Sequence, residues 1–150
     1  MIKTSLKSYG IRTDKSMKTV VRLEKVHNKI FGKTLNYLSS HHLTFNQFKV
    51  LEVLYHRGNL SIGAITKLTM STPGNITVVV KNLKRDGYIT SIKDLNDNRS
   101  TIQSITQKGI DVIEGLFPQH AQNLHKACEI LNDEELDTLY ELLNKLYKAN

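Results

Sequence analysis

Between Ser71 and Arg85 the chain sets short hydrogen-bonding side chains among apolar ones and closes on three cations. On a helical wheel, Val79, Val80 and Leu83 fall within about 60° of Ile76 and form an inward stripe. Gly74, Val78, Lys81 and Arg85 then lie on the opposite face, with Thr77 on one flank and Asn75 and Asn82 on the other. Asn75 and Thr77 can hydrogen-bond to base edges, and Val78 can pack on a thymine methyl. Lys81, Lys84 and Arg85 suit phosphates, which position a protein without specifying a sequence. Gly74 permits close approach at the helix start, beside Ser71 and Thr72. The plain alternative is an amphipathic helix with a solvated basic face.

A second group lies in the polar turn Asp94-Leu95-Asn96-Asp97-Asn98-Arg99. Asp97 can accept hydrogen bonds from backbone N–H groups of the turn or from Arg99. Arg99 can brace the turn or enter a narrow minor groove. A hairpin turn alone explains Asp and Asn, so the arginine is the informative residue.

These groups need a frame to hold them. Lys15 to about Ser40 carries apolar residues near helical spacing and predicts one long helix. Thr44 with Gln47 three residues on predicts a capping box for a second helix, ended by Gly58. Leu60-Ser61 opens a short third helix, capped by Ser61. Thr72 caps a fourth, with Pro73 at its first position, and this helix ends near Gly87. Two helices joined by so short a turn form a helix-turn-helix. Tyr88–Lys93 and Ser100–Ile105, rich in β-branched residues, predict a two-stranded ribbon. A fifth helix is expected over about 107–131. Asn132 caps a sixth, with Leu136, Leu139, Tyr140, Leu143, Leu146 and Tyr147 on one stripe. The expected fold is mainly α with a small β-wing: a winged helix-turn-helix of about six helices plus a two-stranded hairpin. A helix entering the major groove and a ribbon tip reaching a minor groove suit a DNA duplex.

At 150 residues the chain is one domain's length, with no repeat or linker to divide it. Its net charge of +7 is uneven: +8 over residues 1–60, +4 over 61–110 and −5 over 111–150. A basic front and an acidic tail suit one face turned to a polyanion. A single cysteine, Cys128, excludes an intramolecular disulfide framework. The N-terminus lacks the apolar run of a secretory signal, and no segment approaches the roughly 20 apolar residues that span a bilayer. The expectation is a cytoplasmic protein with no membrane partner.

The turn, continuing to Ile105-Thr106-Gln107-Lys108-Gly109, resembles the wing of the MarR family of bacterial transcriptional regulators. Its pattern reads roughly D-x-x-D-x-R, five residues, then a hydrophobic residue, T, x, x, G. Gly74-Asn75-Ile76-Thr77 and Leu83-Lys84-Arg85-Asp86-Gly87 are similar to the family's recognition helix, and the likeness covers nearly the whole chain. The resemblance implies a homodimer built by the first, fifth and sixth helices: a lobe at 44–108 for DNA, with dimerisation helices at 12–42 and 109–150. It implies a pseudo-palindromic operator, usually repressed, and release by a small phenolic ligand, an oxidant or a metal. The family's wing arginine falls on Arg99 and its structuring aspartate on Asp97. The chain departs from the pattern at Asn98, often basic in the family. It also carries Val78 and Lys81 where many members place Arg and Asp, differences that bear on which operator is read.

No reactive cysteine stands near the first helix; Cys128 lies late in the fifth and reads as a packed residue. His120 and His125 are five apart, about 140° on a wheel, a poor metal pair. Neither a metal nor a cofactor is expected. An effector pocket between the dimer helices and the DNA lobe has Tyr37, His41, Phe45 and Tyr55 as candidate lining residues, for which hydrophobic core is the stronger explanation. G-x-G-x-x-G, G-x-x-x-x-G-K-[ST] and H-E-x-x-H are all absent, and no catalytic residue is expected. The competing class is an interaction module whose winged helix binds protein without reading DNA.

Overall fold

The computed structural model describes residues 7–97 and 99–150. Six helices and three short strands follow one another: α1 (Ile11–Ser40), α2 (Phe45–Arg57), β1 (Leu60–Ser61), α3 (Ile62–Leu68), α4 (Pro73–Arg85), β2 (Ile89–Lys93), β3 (Thr101–Ile105), α5 (Gln107–Cys128) and α6 (Asp133–Ala149).

The helix starts follow the capping chemistry. Thr44 accepts from the Gln47 amide, and the Gln47 side chain accepts from the Thr44 amide at 3.0 Å. Asn132 and Glu135 repeat that reciprocal box at α6. Ser61 caps α3, Thr72 caps α4 and Thr106 caps α5, each through its own hydroxyl. Gly58 and Gly87 adopt φ of +82° and +80°, the left-handed geometry that turns a chain out of a helix.

Two expectations need correction. The ribbon is a three-stranded antiparallel sheet in the order β1-β3-β2, not a two-stranded hairpin. Leu60 and Ser61 leave the helical path and pair with Gln103 and Ile102. Also, α1 begins at Ile11 rather than Lys15, because Asp14 organises its first turn. Asp14 accepts from the Ser8 hydroxyl at 2.6 Å and the Tyr9 amide at 3.0 Å.

The core sits under the helix-turn-helix. Phe48, Leu51 and Leu54 of α2, Ile65 of α3, and Ile76, Val80 and Leu83 of α4 are buried together with Ile89 of β2 and Ile113 and Leu116 of α5. From α1 only Leu38 is buried, and α6 buries nothing. An open apolar groove of about 810 Å³ lies between them, lined by residues such as Val21, Leu23 and Val26 of α1 and Leu139, Leu142 and Leu146 of α6.

Candidate nucleic-acid interface

The inward stripe of α4 is buried as the wheel requires: Ile76, Val79, Val80 and Leu83 all join the core. Gly74, Asn75, Thr77, Val78, Lys81, Lys84 and Arg85 are all exposed. Val78 stands 58% exposed, on a helix whose other valines are buried. A Cβ on Gly74 would meet nothing within 4 Å, so its surface is open to a partner of any shape.

Several of these groups are already engaged within the chain. The Thr77 hydroxyl donates to Pro73 O at 2.8 Å. Thr72 accepts from the Asn75 amide. The Arg85 guanidinium donates to Asp86 Oδ1 at 2.9 Å and Oδ2 at 3.3 Å, so the last cation of α4 carries its own counter-charge. That hydrogen-bonded pairing lowers the Asp86 carboxyl below its ordinary range. Ser71 is half-buried, its hydroxyl donating to Thr69 O at 3.3 Å.

The wing is held by its acids. Asp97 Oδ1 accepts from the Arg99 amide at 3.0 Å, the backbone option of the two foreseen. Asp94, unassigned by sequence reasoning, does as much. Its Oδ1 accepts from the Asn96 amide at 2.9 Å and its Oδ2 from the Ser100 hydroxyl at 3.2 Å. Asp-x-Asn spacing is an Asx-turn signal and could have marked it. Arg99 is exposed at the tip; Asn98 lies outside the described residues. Leu95, also unassigned, is 98% exposed on the same tip. A single exposed leucine is ordinary on a protein surface and by itself assigns no role.

Behind the wing, Thr106 fastens the sheet to α4. Its hydroxyl donates to Gly87 O at 2.7 Å and accepts from the Gly109 amide at 3.2 Å. A Cβ on Gly109 would collide with Tyr88 O and come within 2.7 Å of Ile105 Cγ1. The threonine and glycine of the T-x-x-G run are therefore a joint: one hydroxyl satisfied twice, and one residue that must lack a side chain. Lys108 Nζ donates to Asp86 O at 2.7 Å and lies 4.6 Å from the Tyr88 ring centroid, closing the same corner.

The four candidate effector residues make different contacts. Tyr37 and His41 meet edge to face at 4.7 Å, and the Tyr37 hydroxyl donates to Leu116 O at 2.8 Å. Phe45 instead packs on Phe31 at 4.7 Å. Tyr55 is partly exposed and donates to Glu114 Oε1 at 3.1 Å, which raises its phenol pKa. A groove of about 360 Å³ between α1 and α5, lined by residues such as Ile30, Thr34, Leu124 and Ala127, holds none of the four.

Comparison with known proteins decides the family. The MarR family model matches residues 43–101, from just before α2 to the start of β3. The chain is 30% identical over 134 residues to the HTH-type transcriptional regulator MhqR of Bacillus subtilis, covering 89% of this chain and 92% of that one. The chain belongs to the MarR family. The fold of this MarR protein is close to that of a MarR-like transcription regulator from Bacillus cereus, with a TM-score of 0.77 and 25% identity over 90% of this chain and 97% of that one. An E. coli MarR mutant complexed with operator DNA has the same fold, at a TM-score of 0.77 and 23% identity over 89% and 96% of the two chains. As a MarR protein the chain is a DNA-binding transcription regulator and not an enzyme. No helix among the described residues is long and apolar enough to cross a membrane.

Proposed function

We propose that this MarR protein is a cytoplasmic repressor that binds a pseudo-palindromic operator as a homodimer and leaves it when a small organic effector binds. The observation that carries the reading is the exposed face of α4, small and polar at its start, apolar at Val78 and basic at its end. Asn75 and Thr77 face base edges, Gly74 allows close approach, and Val78 takes a thymine methyl. Lys81, Lys84 and Arg85 hold phosphates, while Ser71 and Thr72 shape the helix start. Asp97 sets the wing turn, and Arg99 enters the adjacent minor groove. The DNA lobe spans 44–108; helices within 12–42 and 109–150 pair with a second copy. Two-fold docking then places half-sites one helical turn apart, roughly 10 base pairs centre to centre. Tyr37, His41, Phe45 and Tyr55 mark the region where an effector acts, since Tyr37 ties α1 to α5 beside the lobe.

Fluorescence anisotropy across a salt series tests the reading, with the protein's own upstream duplex against a scrambled one. Tight binding to the native duplex alone, one dimer per site, is expected. Equal weak binding to both, vanishing with salt, would replace specific reading by a basic surface and favour an interaction module.

A further inference from the structure

The turn between α3 and α4 is tied both from within and from outside. Within it, the Thr69 amide donates to Ile65 O at 2.9 Å, and the Ser71 and Met70 amides donate to Thr66 O at 3.2 Å and Lys67 O at 3.4 Å, the paired bonds of a Schellman cap. Met70 is the C′ residue of that cap and adopts the left-handed φ of +51°, at a cost to a residue with a Cβ that a glycine would not meet. Lys49 adds a tie from α2. Its Nζ donates to Thr69 O at 2.9 Å, on one side of Met70, and to Ser71 Oγ at 3.1 Å, on the other. Ser71 Oγ donates in turn to Thr69 O, closing a triangle around the strained residue. The ammonium also lies 5.1 Å from the Phe45 ring centroid, and the side chain is half-buried. Two of its three donors are thus spent on the turn. Charge-assisted bonds of this kind are stronger than neutral ones.

We propose that Lys49 is a positioning residue for DNA reading. By clamping Thr69 O and Ser71 Oγ it fixes the turn, and so the angle at which α4 leaves α3 and meets a duplex. The inference rests on α4 being the recognition helix. Base-edge contacts depend on that angle more steeply than phosphate contacts do, because bidentate geometry is narrow while a screened charge is forgiving. Lys49 therefore acts on discrimination between duplexes, not on general attraction to DNA.

The test is a double-mutant cycle in the full chain, with operator and scrambled duplexes titrated across a salt series. Lys49→Met, which keeps the stem on Phe45, is expected to weaken operator binding about tenfold, the scale of a lost charged hydrogen bond. Scrambled-duplex affinity, the salt slope and the thermal midpoint should stay as in the wild type. Lys49→Arg should recover most of the loss. Ser71→Ala should give part of it, and the double variant should be no worse than Lys49→Met alone. A salt slope shallower by about one, with both duplexes weakened alike, would make Lys49 a phosphate ligand and overturn the proposal. Unchanged operator affinity, or a loss that follows a falling thermal midpoint, would overturn it as well. Amide exchange at Ser71 in the free protein separates this inference from the reading beneath it. Exchange is expected to quicken in Lys49→Met, and equal exchange rules out the clamp whatever the DNA result. A wild type that discriminates no duplex, with faster Ser71 exchange in the variant, overturns the DNA reading and leaves the clamp standing.

Discussion

Gly109 shows how one position can be fixed by what it lacks. Its backbone lies against Tyr88 O and Ile105, where any Cβ overlaps. Gly109→Ala should destabilise the fold by about 2 kcal/mol or more, the scale of overpacking against an unyielding backbone. Gly115, on the same helix, faces open space. Gly115→Ala should gain up to about 1 kcal/mol from helix propensity. Urea unfolding of both variants checks the pair, and similar midpoints would refute the joint at Gly109. Arg99 poses a question of binding instead of folding. It is exposed at the wing tip, and its amide, not its side chain, serves the turn. Arg99→Ala should weaken operator binding about tenfold and leave dimer stability unchanged. Equal affinity in the folded variant would remove the minor-groove role.

At the scale of elements, the junction between α2 and α5 carries a pH dependence. His120 of α5 is 8% exposed and lies 5.0 Å from Phe48 and 5.9 Å from Phe117, ring to ring. Burial lowers its pKa below the ordinary imidazole value, partly offset by the Glu52 carboxylate on α2. His56 of α2, 4.9 Å from Phe117, is the other titratable ring there. The unfolded chain then takes up the His120 proton more readily than the folded one. Stability contributed by the neutral ring is full above about pH 6.5 and falls as pH drops through that value. His120→Leu, which cannot titrate, should flatten the stability slope between about pH 7 and 5. Thermal midpoints across that range measure it, and an unchanged slope would place the titration elsewhere. The start of α4 depends on a single hydroxyl: Thr72→Ala should cost about 1 kcal/mol.

At the scale of the molecule, α1 and α6 are helical but largely unburied. α1 places one residue in the core and α6 none, yet both carry long apolar stripes that line one groove. Exposed leucines at helical spacing on two adjacent helices fit a partner helix, and a second copy supplies one of the same pattern. The thermal midpoint should therefore rise with protein concentration. Truncation after Asn132 should give monomer or aggregate in sedimentation, and a well-folded dimer would refute the pairing.

What the sequence determined by itself is largely governed by neighbours within a few residues, although Asp94 in the wing and the Asp14 contacts at the head of α1 escaped it. The capping boxes at Thr44 and Asn132, Pro73 at the head of α4, and the buried and exposed faces of α4 all follow from 3.6-residue periodicity and side-chain hydrogen bonding inside one turn. The structuring role of Asp97 in the wing was legible because its bond to the Arg99 amide spans two residues. What only the tertiary structure decided lies between residues far apart in the chain. Leu60 and Ser61 become a strand because β3, some forty residues on, offers them an open edge; two residues carry no period of their own. Lys49 gives no sign on α2 that it will reach the turn before α4. The T-x-x-G run marks Gly109 in the sequence, but why it must lack a side chain appears only when Tyr88 O is found against it. Periodicity sorts side chains into inside and outside, but only the folded chain brings a particular donor to a particular acceptor.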